Sequence, residues 1–106
     1  MKEEQIMLID IIKNVPDNSF CFINAPVIND TSAILKLLSP ANNYNWVIRL
    51  TGDNKQKLID VIISESIQDC FHRLDIIHNN SVLCESYDAM RSVILSTTLN
   101  SRNKDN

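Results

Sequence analysis

The chain has 106 residues, 44% of them apolar, with one Gly, three Pro, three Cys and a formal net charge of −3. That is long enough for one domain with a modest core and too apolar for a disordered chain, and the scarcity of Gly and Pro excludes collagen-like, linker-like and Gly-rich-loop architectures. The acidic balance argues against nucleic acid as a partner.

Residues 3–13 predict a first helix. Ile6, Leu8, Ile9 and Ile12, broadened by Met7 and Ile11, make its apolar face, and acids in the first turn with Lys13 in the last suit the helix dipole. Asn14 and Pro16 end it, and Asp17-Asn18 is turn chemistry. Phe20-Cys21-Phe22-Ile23 is a short apolar run that stops before Pro26, which reads as a buried strand. Asp30-Thr31-Ser32 offers N-caps for a short helix over 33–38, closed by Ser39-Pro40. Ala41-Asn42-Asn43 reads as loop. Residues 44–50 alternate, with Tyr44, Trp46, Ile48 and Leu50 on one face of a strand.

Thr51-Gly52-Asp53-Asn54 turns the chain and caps a helix starting near Asn54. Its stripe is Leu58, Ile59, Ile62, Ile63, Ile67, Cys70, Phe71 and Leu74. Periodicity extends that helix to about residue 74. The competing reading ends it near Ser66 and opens a strand there. The expectation over 67–74 leans to strand, because a longer arm stabilises the hairpin that Asn79-Asn80 predicts between Asp75-Ile76-Ile77 and Val82-Leu83-Cys84. A plain two-residue turn sets residue 75 opposite residue 84. Residues 92–99, rich in β-branched side chains, read as a last strand, with residues 87–91 as an alternative helix start.

The expected architecture is α+β: about three helices packed on a mostly antiparallel sheet of four to five strands. One domain is expected over 1–100, followed by a disordered polar tail over 101–106. The opening Met1-Lys2-Glu3-Glu4-Gln5 is acidic, unlike a signal peptide, and no apolar run is long enough to span a bilayer. A cytoplasmic protein without membrane partners is expected.

Candidate chemistry is sparse. Cys21, Cys70 and Cys84 form no CxxC pair and no disulfide framework, and read as small buried hydrophobes. Cys70, His72, His78 and Cys84 resemble a ligand set. On the hairpin, however, Cys84 takes the opposite face, and His72 and His78 stand roughly 20 Å apart, too far for one ion. Thr51-Gly52-Asp53-Asn54-Lys55 lacks the second glycine of a phosphate loop. No catalytic residue, cofactor or metal is therefore assigned. A small hydrolase using Cys70 or Cys84 with a histidine is the enzymatic alternative.

Charge is distributed unevenly. Residues 60–90 carry six acids and one base, Arg73, for −5, which leaves +2 for the rest. Such a stretch suits docking of a basic partner. Tyr87 sits between Ser86 and Asp88 within it, where an aromatic adds contact area beside steering charges.

The run from Asn79 through Asn80-Ser81-Val82-Leu83-Cys84-Glu85-Ser86-Tyr87-Asp88-Ala89-Met90, followed by Ser92-Val93-Ile94-Leu95-Ser96, resembles the closing segment of small bacterial immunity proteins. These accompany polymorphic toxins, including those of contact-dependent growth inhibition. The resemblance implies a cytoplasmic protein that binds one cognate toxin domain, often a nuclease, and blocks its active site. A nuclease cleft is basic, so an acidic surface complements it. The expected contacts are Glu65, Asp69, Asp75, Glu85, Tyr87 and Asp88. The alternative from another class is a non-enzymatic adaptor or regulatory subunit that assembles through residues 3–13, apolar on two sides. Oligomeric state stays open.

Overall fold

A computed structural model describes residues 1–97. Their elements run α1 (Glu3–Asn14), β1 (Ser19–Asn24), a 3-10 turn (Ala33–Lys36), β2 (Ser39–Ala41), β3 (Tyr44–Leu50), α2 (Gly52–Glu65), a second 3-10 turn (Ile67–Cys70), β4 (Arg73–His78), β5 (Ser81–Tyr87) and β6 (Ser92–Leu95). The fold is a small α+β domain. Its single sheet has six strands in the order β2-β3-β1-β4-β5-β6, every neighbouring pair antiparallel.

β1 pairs with both β3 and β4. Those two strands are therefore parallel to each other, and parallel strands need a crossover, which α2 supplies. Thr51 caps α2 by accepting the Asn54 N–H at 3.1 Å. The helix ends at Ser66, whose φ of 51° is left-handed. α1 lies beside α2, tied to it by Gln5, whose Nε2 donates to the Ile62 carbonyl at 3.0 Å and to Ser66 Oγ at 3.2 Å. Lys55 of α2 holds the turn before β1, donating to the Val15 carbonyl at 2.6 Å and pairing with Asp17 at 2.9 Å.

Both helices cover one face of the sheet. The covered face is built of cross-strand rows, Ile48–Cys21–Ile76–Cys84–Leu95 and Trp46–Ile23–Leu74–Ser86–Val93. Leu8, Ile9, Ile11 and Ile12 of α1 and Leu58, Ile59, Val61 and Ile62 of α2 close the core over them.

Four expectations are corrected. The third helix does not form: residues 33–36 make one 3-10 turn, capped by Ser32, which accepts the Ile34 N–H at 3.3 Å. Residues 39–41, read as a helix stop and loop, add the sixth strand at an edge. Over 67–74 neither reading holds throughout. α2 stops at Glu65, a 3-10 turn follows, and the strand begins only at Arg73. The plain hairpin register also fails: Ile76 faces Cys84 and Asp75 faces Glu85, because a bulge between Ile76 and Ile77 leaves Leu83 as the extra residue. The bulge carries Leu83 into the core at 8% exposure. The last strand ends at Leu95, its expected continuation over 98–99 and the expected tail over 101–106 lying outside the described residues. Among the described residues no helix is long and apolar enough to cross a membrane.

Candidate functional site: the open face of the sheet

The face opposite the helices has its own rows. Arg49–Phe20–Ile77–Val82 lies nearest the Asn79-Asn80 turn, Val47–Phe22–Asp75–Glu85–Ile94 crosses the middle, and Asn24–Arg73–Tyr87–Ser92 lies at the far end. Apolar side chains are left in water here: Phe20 is 44% exposed, Val82 44% and Ile94 59%. Phe20, Phe22, Ile77, Asn79 and Asn80 bound a cleft of about 500 Å³.

A fourth aromatic reaches this face through a second bulge. The register of β2 against β3 shifts between Pro40 and Ala41, so that Ala41 faces Tyr44 and Asn45 is extra. Tyr44 is thereby turned away from Trp46, Ile48 and Leu50, with which simple alternation groups it. Asn45 closes the distortion: its Oδ1 accepts the Ala25 N–H at 2.8 Å, and its own N–H donates to Asn24 Oδ1 at 3.0 Å. The Tyr44 ring then lies 5.1 Å from Phe22, which in turn lies 6.5 Å from Phe20.

The polar centre of the face is Asp75, only 3% exposed. Burying a carboxylate is costly unless it is paired and hydrogen-bonded. Here Tyr44 donates its hydroxyl to Asp75, Arg73 Nε donates to both carboxylate oxygens at 3.2 Å, and the guanidinium also pairs with Oδ2 at 3.0 Å. The Arg73 guanidinium lies 5.1 Å from the Tyr87 ring centroid and 5.9 Å from that of Tyr44, so it is gripped by two aromatic faces. Tyr87 donates its hydroxyl to Glu85 at 3.1 Å. Asp75 and Glu85 face each other directly, an arrangement that like charges disfavour. Arg73 on one and Tyr87 on the other make it tolerable. Burial first, then the hydrogen bond to Asp75, push the Tyr44 hydroxyl up to about 12. The bond to Glu85 raises that of Tyr87, and the bond to Asp75 raises the Arg73 guanidinium further.

The six expected contacts do not form one surface. Asp75, Glu85 and Tyr87 come together on the open face. Glu65 stands at the end of α2, where it accepts from Ser32 Oγ at 2.6 Å and from the Ala33 N–H at 3.0 Å; these bonds lower its carboxyl. Asp69 pairs with Lys2 of α1 at 3.0 Å, and Asp88 with Arg91 in the β5–β6 turn at 3.4 Å. The −5 of residues 60–90 is thus divided among separate places and partly neutralised from elsewhere in the chain. Sequence reasoning also missed Phe20, Phe22, Tyr44 and Arg73. A signal existed for the first two: β1 is apolar at odd and even positions alike, which is what a central strand with two apolar faces requires.

The reactive candidates are placed as follows. Cys21 and Cys84 lie in the core row on either side of Ile76. Burial, reinforced by the charges of Asp75 and Glu85, pushes the Cys84 thiol up to about 12, and burial raises that of Cys21 as well. A thiol held protonated is a poor nucleophile. His72 is exposed before β4, and His78 at the other end of that strand contacts Asn79 at 3.2 Å. Among the described residues no three His, Cys, Asp or Glu side chains gather where one ion would bind.

No family model, no curated protein and no solved structure matches this chain.

Proposed function

We propose that this protein works by binding another protein through the open face of its sheet, and that the partner is a toxin domain of the kind that immunity proteins neutralise. One observation carries the reading: a sheet covered on one side only leaves Phe20, Ile77, Val82 and Ile94 around a polar centre whose hydrogen bonds are already made. Contiguous exposed apolar area of this kind marks interaction surfaces in single domains. A locked centre lowers the cost of association, because few side chains need ordering when the partner arrives.

The mechanism is occlusion without catalysis. Phe20 and Tyr87 are the aromatic anchors, Arg49 and Glu85 the charges that orient the approach. The segment resembling immunity proteins contains β5 and β6 and so supplies Val82, Glu85, Tyr87 and Ile94. The expected acidic contact surface is narrowed to Glu85 and Tyr87, with Asp75 buried beneath them, where it holds Arg73 and Tyr44 in place. The adaptor alternative would rest on what α1 leaves exposed, chiefly Ile6, since Leu8, Ile9, Ile11 and Ile12 are packed in the core.

The test begins with the partner captured from the native host and identified by mass. Its binding and the inhibition of its activity are then measured with the wild-type protein, Phe20→Asp and Tyr87→Ala. Folded variants that bind at least about 100-fold more weakly support the reading, as expected for central anchors. Undiminished affinity in both removes the open face from the interface.

A further inference from the structure

The two edges of the sheet are built differently. β2 is three residues long, carries Pro40, which has no N–H to offer, and joins β3 through a bulge. These are the features that discourage another chain from adding to an edge. β6, Ser92-Val93-Ile94-Leu95, is also short, at four residues, but has no proline, no charge and a regular register against β5.

The phase of the β5–β6 ladder follows from one bond. Ser96 donates its N–H to the Leu83 carbonyl at 2.9 Å. Antiparallel pairs alternate, so Ile94 and Ser92 also turn their backbone groups to β5, while Val93 and Leu95 turn theirs outward. The outer edge therefore offers two donors and two acceptors, with no backbone partner among the described residues. The side chains of Val93 and Leu95 lie on the helix side of the sheet. There Leu95 forms one wall of a cleft of about 410 Å³, whose other wall is Glu3, Ile6, Met7, Asp10 and Ile11 of α1. Ile6 is 46% exposed in it. Glu3 and Asp10 are exposed at its mouth, with no ion pair among the described residues.

We infer that the β6 edge and the α1 cleft together form a strand-addition site for an extended segment of a partner protein, with an apolar residue entering the cleft between basic ones. An added strand lies about 4.8 Å from β6, and its alternate side chains point to the helix side. The residue beside Leu95 fills the cleft. The next on the same side, roughly 6.6 Å along, is a lysine or arginine that reaches Glu3 or Asp10. Main-chain bonds supply affinity and the alternate side chains supply selectivity. The carboxylates also decide between occupants. A second copy joined through β6 brings two α1 helices together with Glu3 and Asp10 on each, and like charges resist that approach. The site uses the backbone of β6 and stands apart from the open face, so it holds or fails independently of the function proposed above.

The probe is an acetylated, amidated heptapeptide with valine at its centre, lysine two residues to either side and threonine elsewhere. Its twin carries glutamate in place of lysine. At millimolar peptide, amide exchange at Val93 and Leu95 is expected to slow at least about five-fold with the lysine peptide and to be unaffected by the glutamate twin. Val93→Pro removes an outward N–H and no bond to β5. It should weaken binding at least about five-fold, as should the exposed double variant Glu3→Lys/Asp10→Lys, which leaves the core untouched. Three results overturn the inference: no protection of these amides by the lysine peptide, equal binding of the two peptides, or a dimer in sedimentation that Val93→Pro dissolves.

Discussion

Tyr44→Phe tests whether the polar centre of the open face is held as described. The change deletes one oxygen and leaves the ring against Phe22. Asp75 then loses one donor but keeps Arg73, so its charge stays compensated. A hydrogen bond to a charged group contributes about 1.5–3 kcal/mol. Loss of one among several, at a site open to water on one side, should cost about 1–2 kcal/mol near neutral pH. The pH dependence is more diagnostic. The Tyr44 hydroxyl stands at about 12 against an ordinary 10.0. The folded state thus holds this proton more tightly than the unfolded state does. The associated stability is fully present below pH 10 and is lost as pH rises from 10 through 12. Two pH units correspond to at most about 2.7 kcal/mol, and about 1–2 kcal/mol once partial exposure of the ring is allowed for. Urea unfolding followed by Trp46 fluorescence from pH 8 to 11.5 reads this directly. With a slope of about 1–1.5 kcal/mol per molar, the variant midpoint should lie about 1 M below wild type at pH 8, and the gap should close toward pH 11.5. A gap that stays constant over that range would refute the Tyr44–Asp75 bond, whatever its size.

Other outcomes follow from single residues. Ile12→Ala empties a fully buried site in α1 and should cost about 2–5 kcal/mol by chemical denaturation, against little change at exposed Ile63. Gln68 is buried with its Oε1 lacking a hydrogen-bond partner among the described residues; Gln68→Met removes that orphan and should raise stability by about 1 kcal/mol in the same assay. Asn80, at φ 65° in the β4–β5 turn, suits glycine, so Asn80→Gly should raise the melting temperature by about 2–4 °C. The Glu65 carboxyl is lowered by its bonds to Ser32 and Ala33, so it contributes stability above its ordinary value that is lost as pH falls through the depressed one. Glu65→Gln should flatten the acid limb of the stability curve below pH 4.5 while leaving the alkaline limb unchanged.

The sequence by itself determined what rests on local pattern. The stripe of α1, the cap and stripe of α2, the alternation from Trp46 to Leu50 and the Asn79-Asn80 turn each announce their element, because a 3.6-residue or two-residue period is a property of neighbouring residues. Only the tertiary structure decided what depends on pairing across the chain. The bulge at Leu83 sets Asp75 opposite Glu85 and sends Cys84 into the core. The bulge at Asn45 turns Tyr44 onto the open face. The β3–α2–β4 crossover places the helical layer on one side and so leaves Phe20 and Ile94 in water. A one-residue shift of register inverts every side chain beyond it, and no periodicity in the sequence marks where such a shift occurs. For the same reason an acidic stretch in sequence did not become an acidic surface: residues 60–90 pass from helix through turn to two strands, and each element points its charges in its own direction.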